Sequence, residues 1–236
     1  MKLLAVETAT EACSAALSIN GVIIERFELA PKHHTRLILP MIDDLMNEAG
    51  LSVKQLDALA FGCGPGSFTG IRIATGVIHG IALGADLPVV CVSTLATMAQ
   101  DLFDRSDSKL AFSAIDARME EIFWAVYQRD NLGFAELIGE EAVIPAESVS
   151  CSVQGLGVGI GSAWGVYADT LTSRLKQVDY YEAEVLPRAA LIAKLGVHKF
   201  EQGLAVAVEQ AMPVYLRDKV AKTEAERRVD SLHRAG

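Results

Sequence analysis

The chain has 236 residues, 51% of them hydrophobic, enough to build a substantial core in one large or two small domains. Its formal net charge of -9 removes any electrostatic reason for unaided binding to nucleic acid. No apolar run approaches the ~18 residues that a membrane span needs, and the opening MKLLAVETAT, with one basic residue, reads as a first strand rather than a signal peptide.

In chain order, LLAVE and CSAALSI form two strands around a polar turn at Thr8–Glu11. Asn20-Gly21 then predicts a hairpin turn into a third strand, VIIERFEL. Thr35–Ala49 is helical, a short helical piece opens at Ser52, and ALAFGC is a buried strand. Ser67–Ala85 is a long helix, LPVVCVS a strand, and Thr94–Phe103 helical. Three strands followed by alternating helices and strands predict a mixed α/β sheet with helices on its faces.

After the polar break at Arg105–Ser108 the pattern restarts. KLAFSAIDARMEEIFWAVY echoes KLLAVETATEACSAALS, each with a strand ending in a carboxylate, Asp116 and Glu7. This divides the chain into an N-terminal lobe over 1–107 and a C-terminal lobe over 108–217. A glycine stretch, GLGVGIGSAWG, is expected after a strand of the second lobe, with a helix over about 188–202. The charged residues 218–236 read as a mobile tail. Cys13, Cys63, Cys91 and Cys151 form no C-x-x-C pair and are expected to be reduced packing residues of a cytoplasmic protein.

The densest motif is GCGPGSFTGIRIATG at 62–76. It is not a Walker A loop, for no lysine occurs between Lys54 and Lys109, and it does not fit G-x-G-x-x-G. Pro65 and Gly66 turn the chain and Ser67 caps the following helix, whose first amides then point outward. Two readings stay open. In one, the loop is an anion or nucleotide contact built from Glu7, Gly66, Ser67, Phe68, Thr69 and Asp116. In the other it is a tight strand-to-helix turn. Five histidines without i,i+4 acidic company give no metal site, and no G-x-S-x-G elbow is present.

Two helices carry more apolar or smooth surface than one core requires. In the second, Gly76, Gly80 and Gly84 lie four apart with Ile73 beside them, though glycine inside a helix costs about 1 kcal/mol relative to alanine. In the first, Leu37, Met41, Ile42 and Leu45 belong to an apolar arc roughly twice the ~100° that a helix on a sheet needs. These eight residues are the expected partner interface, with coverage by a second layer of the same chain as the alternative.

AVETATEACSAALS, HTRLILPMIDDLM, GPGSFTGIRIATG, VSTLATMAQ, AIDARMEEIFWA and PVYLRD together resemble the bacterial TsaB (YeaZ) family, over about residues 2–217. The resemblance implies two ribonuclease-H-like lobes of the actin-like ATPase and sugar-kinase superfamily. It implies a non-catalytic role in making threonylcarbamoyladenosine on tRNAs that read codons beginning with A. The implied partners are the metal-containing transferase paralogue TsaD and the ATPase TsaE, with a homodimer when the chain is alone and tRNA reached only through the complex. No tightly bound cofactor is implied, ATP or ADP being confined to the partner interface. Thr94 and Met98 stand where TsaD has its two metal-binding histidines, and neither side chain replaces imidazole. Glu7 stands where the superfamily commonly has aspartate in its first phosphate loop. The competing readings are a small-molecule kinase using Glu7 and Asp116, and a metallopeptidase, which the missing histidine pair argues against.

Overall fold

A computed structural model describes residues 1–217; the tail expected at 218–236 lies outside the described residues. The first sheet opens as an antiparallel meander of β1 (Lys2–Glu7), β2 (Ala12–Ile19) and β3 (Val22–Leu29). Asn20 and Gly21 both have positive φ, 51° and 87°, as a two-residue hairpin turn of the primed type demands. Then follow α1 (His34–Glu48), a one-turn 3₁₀ segment at Val53–Gln55 opened by Ser52, β4 (Ala58–Gly62), α2 (Phe68–Ala85), β5 (Val89–Val92) and α3 (Thr94–Arg105). β4 and β5 add in parallel to give the order β3-β2-β1-β4-β5.

The second sheet repeats this plan. β6 (Leu110–Arg118), β7 (Glu121–Arg129) and β8 (Ala135–Pro145) form the meander; β9 (Gly157–Ile160) and β10 (Val178–Glu182) add in parallel, in the order β10-β9-β6-β7-β8. Two short helices, α4 (Ala163–Val166) and α5 (Ala168–Arg174), join β9 to β10, and α6 (Ala189–Glu201) follows. The matching strand orders make the loose sequence repeat real: the chain is two ribonuclease-H-like α/β lobes of the actin-like ATPase type.

The second glycine stretch corrects an expectation. It does not follow a strand; it contains β9. A Cβ at Gly157 would lie 2.6 Å from Leu110 Cβ, and one at Gly159 would lie 2.4 Å from the Trp164 ring. Trp164 is pinned there by its indole N–H, which donates to the Phe112 carbonyl at 2.9 Å.

The helices do not respect the lobe boundary drawn at 107. α1 and α2 cover the outer face of the first sheet, and α4 and α5 cover the outer face of the second. Between the sheets, however, α3 packs on β6, β7 and β8, while α6 packs on β1, β2 and β4. Each lobe therefore lends its last long helix to the other's sheet. One apolar cluster runs through this middle, from Leu3 and Ala60 through Leu95, Leu102 and Ile192 to Ala111 and Ile160. Gly196 lets α6 settle closely, since a Cβ there would stand 2.9 Å from Ala60 Cβ. The first turn of α6 has no cap of its own. Ser14 Oγ accepts from the Ala189 amide and Glu25 from the Ala190 amide, both at 2.9 Å.

α2 also corrects the membrane reading in one respect. It is 18 residues long and, by length and composition alone, apolar enough to cross a membrane. In the fold it is a layer: Ile71, Ala74, Ile78 and Ala82 are buried beneath it.

Candidate functional site: the glycine loop and the outer face of α2

What approaches the glycine loop is the turn between β1 and β2. A Cβ at Gly62 would lie 2.0 Å from Glu7 Oε2, one at Gly66 would lie 2.6 Å from the Ala9 carbonyl oxygen, and one at Gly70 would lie 2.0 Å from the Thr8 carbonyl oxygen. Hydrogen bonds fasten the same seam. The Ser67 amide donates to Ala9 O at 2.7 Å, and Thr8 Oγ1 donates to Gly70 O at 2.7 Å. Ser67 Oγ accepts from the Gly70 amide at 3.4 Å, the expected cap in a long form.

This geometry corrects the anion reading for Glu7. Its side chain is fully buried, with Oε1 accepting from the Ala9 amide at 2.6 Å and Oε2 from Thr94 Oγ1 at 3.5 Å. Burial pushes its carboxyl up from an ordinary 4.5 to about 7, against the opposing hydrogen bonds from Ala9, Thr8 and Thr94. Sealed in this way, it has no free oxygen to offer a ligand. Gly66 and Ser67 spend their close approach on the Ala9 turn, while Phe68 and Thr69 stay at the surface. Asp116, at the end of β6, accepts from the Arg118 amide and pairs with the Arg118 guanidinium, each at 2.9 Å. Among the described residues no hydrogen bond joins it to Glu7. The six residues of the nucleotide reading are thus split between two local networks and an exposed helix start.

Thr94 and Met98 are both buried. Thr94 lies under Glu7; the Met98 sulfur lies 3.2 Å from where a Gly161 Cβ would be. Among the described residues no three His, Cys, Asp or Glu side chains gather in a way that holds a metal ion.

The two expected interface helices divide. Met41, Ile42 and Leu45 on α1 are buried in this chain's own core with Ile38 and Met46, against β2, and Leu45 is 0% exposed. Their assignment to a partner surface is therefore corrected: the sheet takes the wide apolar arc, leaving Leu37 half-buried and Leu39 56% exposed. On α2 the reverse holds. Gly76, Gly80 and Gly84 are exposed, and no atom lies within 4 Å of a Cβ built on any of them. Half-buried Ile73, Val77 and Ile81 flank the stripe, and Leu83 is 67% exposed. Among the described residues nothing accounts for three helical glycines there.

Sequence reasoning missed a strap. Residues 211–217 run beside the glycine loop, where the Val214 amide donates to Cys63 O at 2.8 Å. Tyr215 packs on Phe68 at 5.7 Å between ring centroids; Arg72 lies 3.7 Å over the Phe68 ring and donates to the Tyr215 hydroxyl at 2.9 Å. Arg217 then crosses to the second lobe, where it pairs with Glu121 and donates to Arg118 O. It ends on a turn in which Arg118, Met119 and Glu120 all have φ near +60°, an unusual run for residues with side chains. The aromatic and arginine of PVYLR were the available signal, read only as the close of the globular part.

Two lobes on one strand plan, with a glycine loop locked to the first hairpin, place the chain in the actin-like ATPase fold class. In agreement, the family model described as "TsaD: tRNA N6-adenosine threonylcarbamoyltransferase" matches residues 21–225. The chain is 44% identical over 225 residues to the tRNA threonylcarbamoyladenosine biosynthesis protein TsaB of Escherichia coli, covering 94% of this chain and 96% of that one. It is 36% identical over 228 residues to the Haemophilus influenzae protein of the same name, covering 93% and 95%. Among solved structures, YeaZ from Pseudomonas aeruginosa superposes with a TM-score of 0.86 at 40% identity, covering 91% of this chain and 99% of that one. The chain belongs to the TsaB (YeaZ) family.

Proposed function

We propose that the chain is a non-catalytic partner in forming threonylcarbamoyladenosine on tRNA, acting as a cytoplasmic scaffold that heterodimerises with the transferase paralogue TsaD and works with the ATPase TsaE. The observation that carries this reading is the α2 stripe, where Gly76, Gly80 and Gly84 face outward and a Cβ on any of them would meet no atom within 4 Å among the described residues. A related lobe brings a similar helix, and glycines let two helix backbones approach closely. The burial of Thr94 and Met98 at the positions of the transferase histidines supports the non-catalytic part. The net charge of -9 supports tRNA contact only through the complex. The free chain holds no cofactor tightly in this reading, ATP or ADP being taken at the joint with the partner. When the partner is absent, the same stripe pairs two copies of the chain.

A stable joint of this kind buries on the order of 1,200–2,000 Å². Gly80→Arg sets an unpaired charge within it, at a cost of several kcal/mol. Each 1.4 kcal/mol is tenfold in affinity, so co-purification with the paralogue and self-association should both fall by about a hundredfold or more. Thermal unfolding of the dilute, monomeric chain should not fall and should rise slightly, because the site is open among the described residues and arginine suits a helix better than glycine by about 1 kcal/mol. A folded Gly80→Arg chain that still binds the paralogue at full strength would place the joint elsewhere.

A further inference from the structure

A cleft of about 520 Å³ opens where the two lobes meet, within the ~300–1,000 Å³ of small-molecule sites, and the reading above makes no use of it. Phe27 of β3 forms one wall and Asp101 and Arg105 of α3 another, with Glu182 at the end of β10. The chain running from β10 to α6 supplies the rest. Its Ala183, Val185 and Leu186 are half-buried and apolar, Glu184 is exposed, and Arg188 leads into α6.

Both guanidinium groups in the cleft are already matched. Arg105 donates from Nε to Asp101 at 2.9 Å, and from Nη1 and Nη2 to the two oxygens of Glu182 at 3.0 and 2.6 Å. Arg188 lies 4.4 Å over the Phe27 ring and pairs with Glu25, whose other oxygen takes the Ala190 amide. The carboxylates are not all matched. Among the described residues Glu184 has no hydrogen-bond partner, and Asp101 uses one of its two oxygens. Four carboxylates, Glu25, Asp101, Glu182 and Glu184, set against two guanidinium groups leave two negative charges over.

We propose that this cleft binds an aliphatic diamine or polyamine, with one ammonium at Asp101, another at Glu184 and the methylene stem along Val185 and Leu186. The leftover charge selects a cation, because an anion would have to displace carboxylates from both arginines to find a donor. The spacing selects an extended cation over a compact one: among the described residues no three His, Cys, Asp or Glu side chains gather in a way that holds a metal ion. An alkyl amine lays its stem on the apolar wall and keeps its charged ends at the carboxylates, as a lysine side chain does on a protein surface. Salt screens a half-buried carboxylate such as Asp101 less than an exposed one. None of these residues belongs to the α2 stripe, so the cleft is independent of the scaffold reading.

The test is calorimetric titration of the full chain with putrescine, cadaverine and spermidine at physiological salt, with butylamine and glutarate as controls. The diamines should saturate one site, butylamine should bind about tenfold more weakly for want of the second ammonium, and glutarate should not bind. The methyl resonances of Val185 and Leu186 should shift along the same curve. Asp101→Asn should weaken putrescine by about tenfold and the more exposed Glu184→Gln by about threefold. Glu184→Gln breaks no bond among the described residues, so it keeps the test intact even if Asp101→Asn, which loosens Arg105, folds poorly. Glu140→Gln, exposed on β8 at the opposite edge of the second sheet, should change nothing. No saturable binding, an equal response to Glu140→Gln, methyl shifts absent from Val185 and Leu186, or glutarate bound as well as putrescine would each overturn the proposal. So would saturation by a lysine-rich peptide but by none of the amines, which would make the cleft a protein contact.

Discussion

Glu7 makes the fold sensitive to pH, and the size of the effect follows from its burial. Its carboxyl rises from 4.5 to about 7 in the folded chain. At ~1.4 kcal/mol per unit this corresponds to about 3 kcal/mol. The sign is set by proton count: between these values the folded state holds the proton and the unfolded state releases it. The contribution to stability is therefore complete below about 4.5 and is lost as pH rises through about 7. Glu7→Gln keeps an oxygen for the Ala9 amide and removes the charge, so it should gain on the wild type as pH rises. Urea unfolding of both proteins at pH 5 and pH 8 measures this, the gap between them shifting by about 2.5 kcal/mol in favour of the variant. The cost of rearranging the Thr94 hydroxyl, which loses its acceptor, is the same at both pH values and cancels. A gap that does not move with pH would refute the reasoning, because it would mean that the carboxylate is hydrated in the folded state.

The glycines of one helix should behave oppositely. Gly70→Ala forces a Cβ to 2.0 Å from the Thr8 carbonyl oxygen and should destabilise by about 3 kcal/mol, whereas Gly80→Ala meets nothing and should stabilise the free chain by about 1 kcal/mol, both read by denaturant unfolding. Leu45→Ala should lower stability by about 2–5 kcal/mol, as for any sealed leucine; a loss of partner binding with unchanged stability would return this residue to the interface.

The strands and helices were legible because period and punctuation agreed locally. Asn20-Gly21, the Ser52 and Ser67 caps and the alternation in ACSAALSI all report on neighbours within a few residues. The site was legible only in part. A helical wheel shows that Leu45 and Gly80 lie on conspicuous faces, but not which face meets a sheet. Here the apolar arc of α1 goes inward and the glycine stripe of α2 outward. Glu7 misled for a related reason. A carboxylate at a strand end beside glycines suits a ligand loop equally well as a plug, and its full burial in the space a Gly62 side chain would need decides for the plug. The α6 cap was invisible in sequence because Ser14 stands 175 residues from the amide it serves.

The traded helices bear on how the chain is made. When the ribosome has finished β5 and α3, every strand of the first sheet exists, yet the face of β1 and β4 that carries Leu3 and Ala60 waits for residues 189–201. α3, already made, likewise waits for β6 to β8. Neither half has a finished interior when it leaves the exit tunnel, and both close together near the end of synthesis. Segments 1–107 and 108–217 expressed separately should each expose an unoccupied helix seat, and mixing them should restore what each alone lacks.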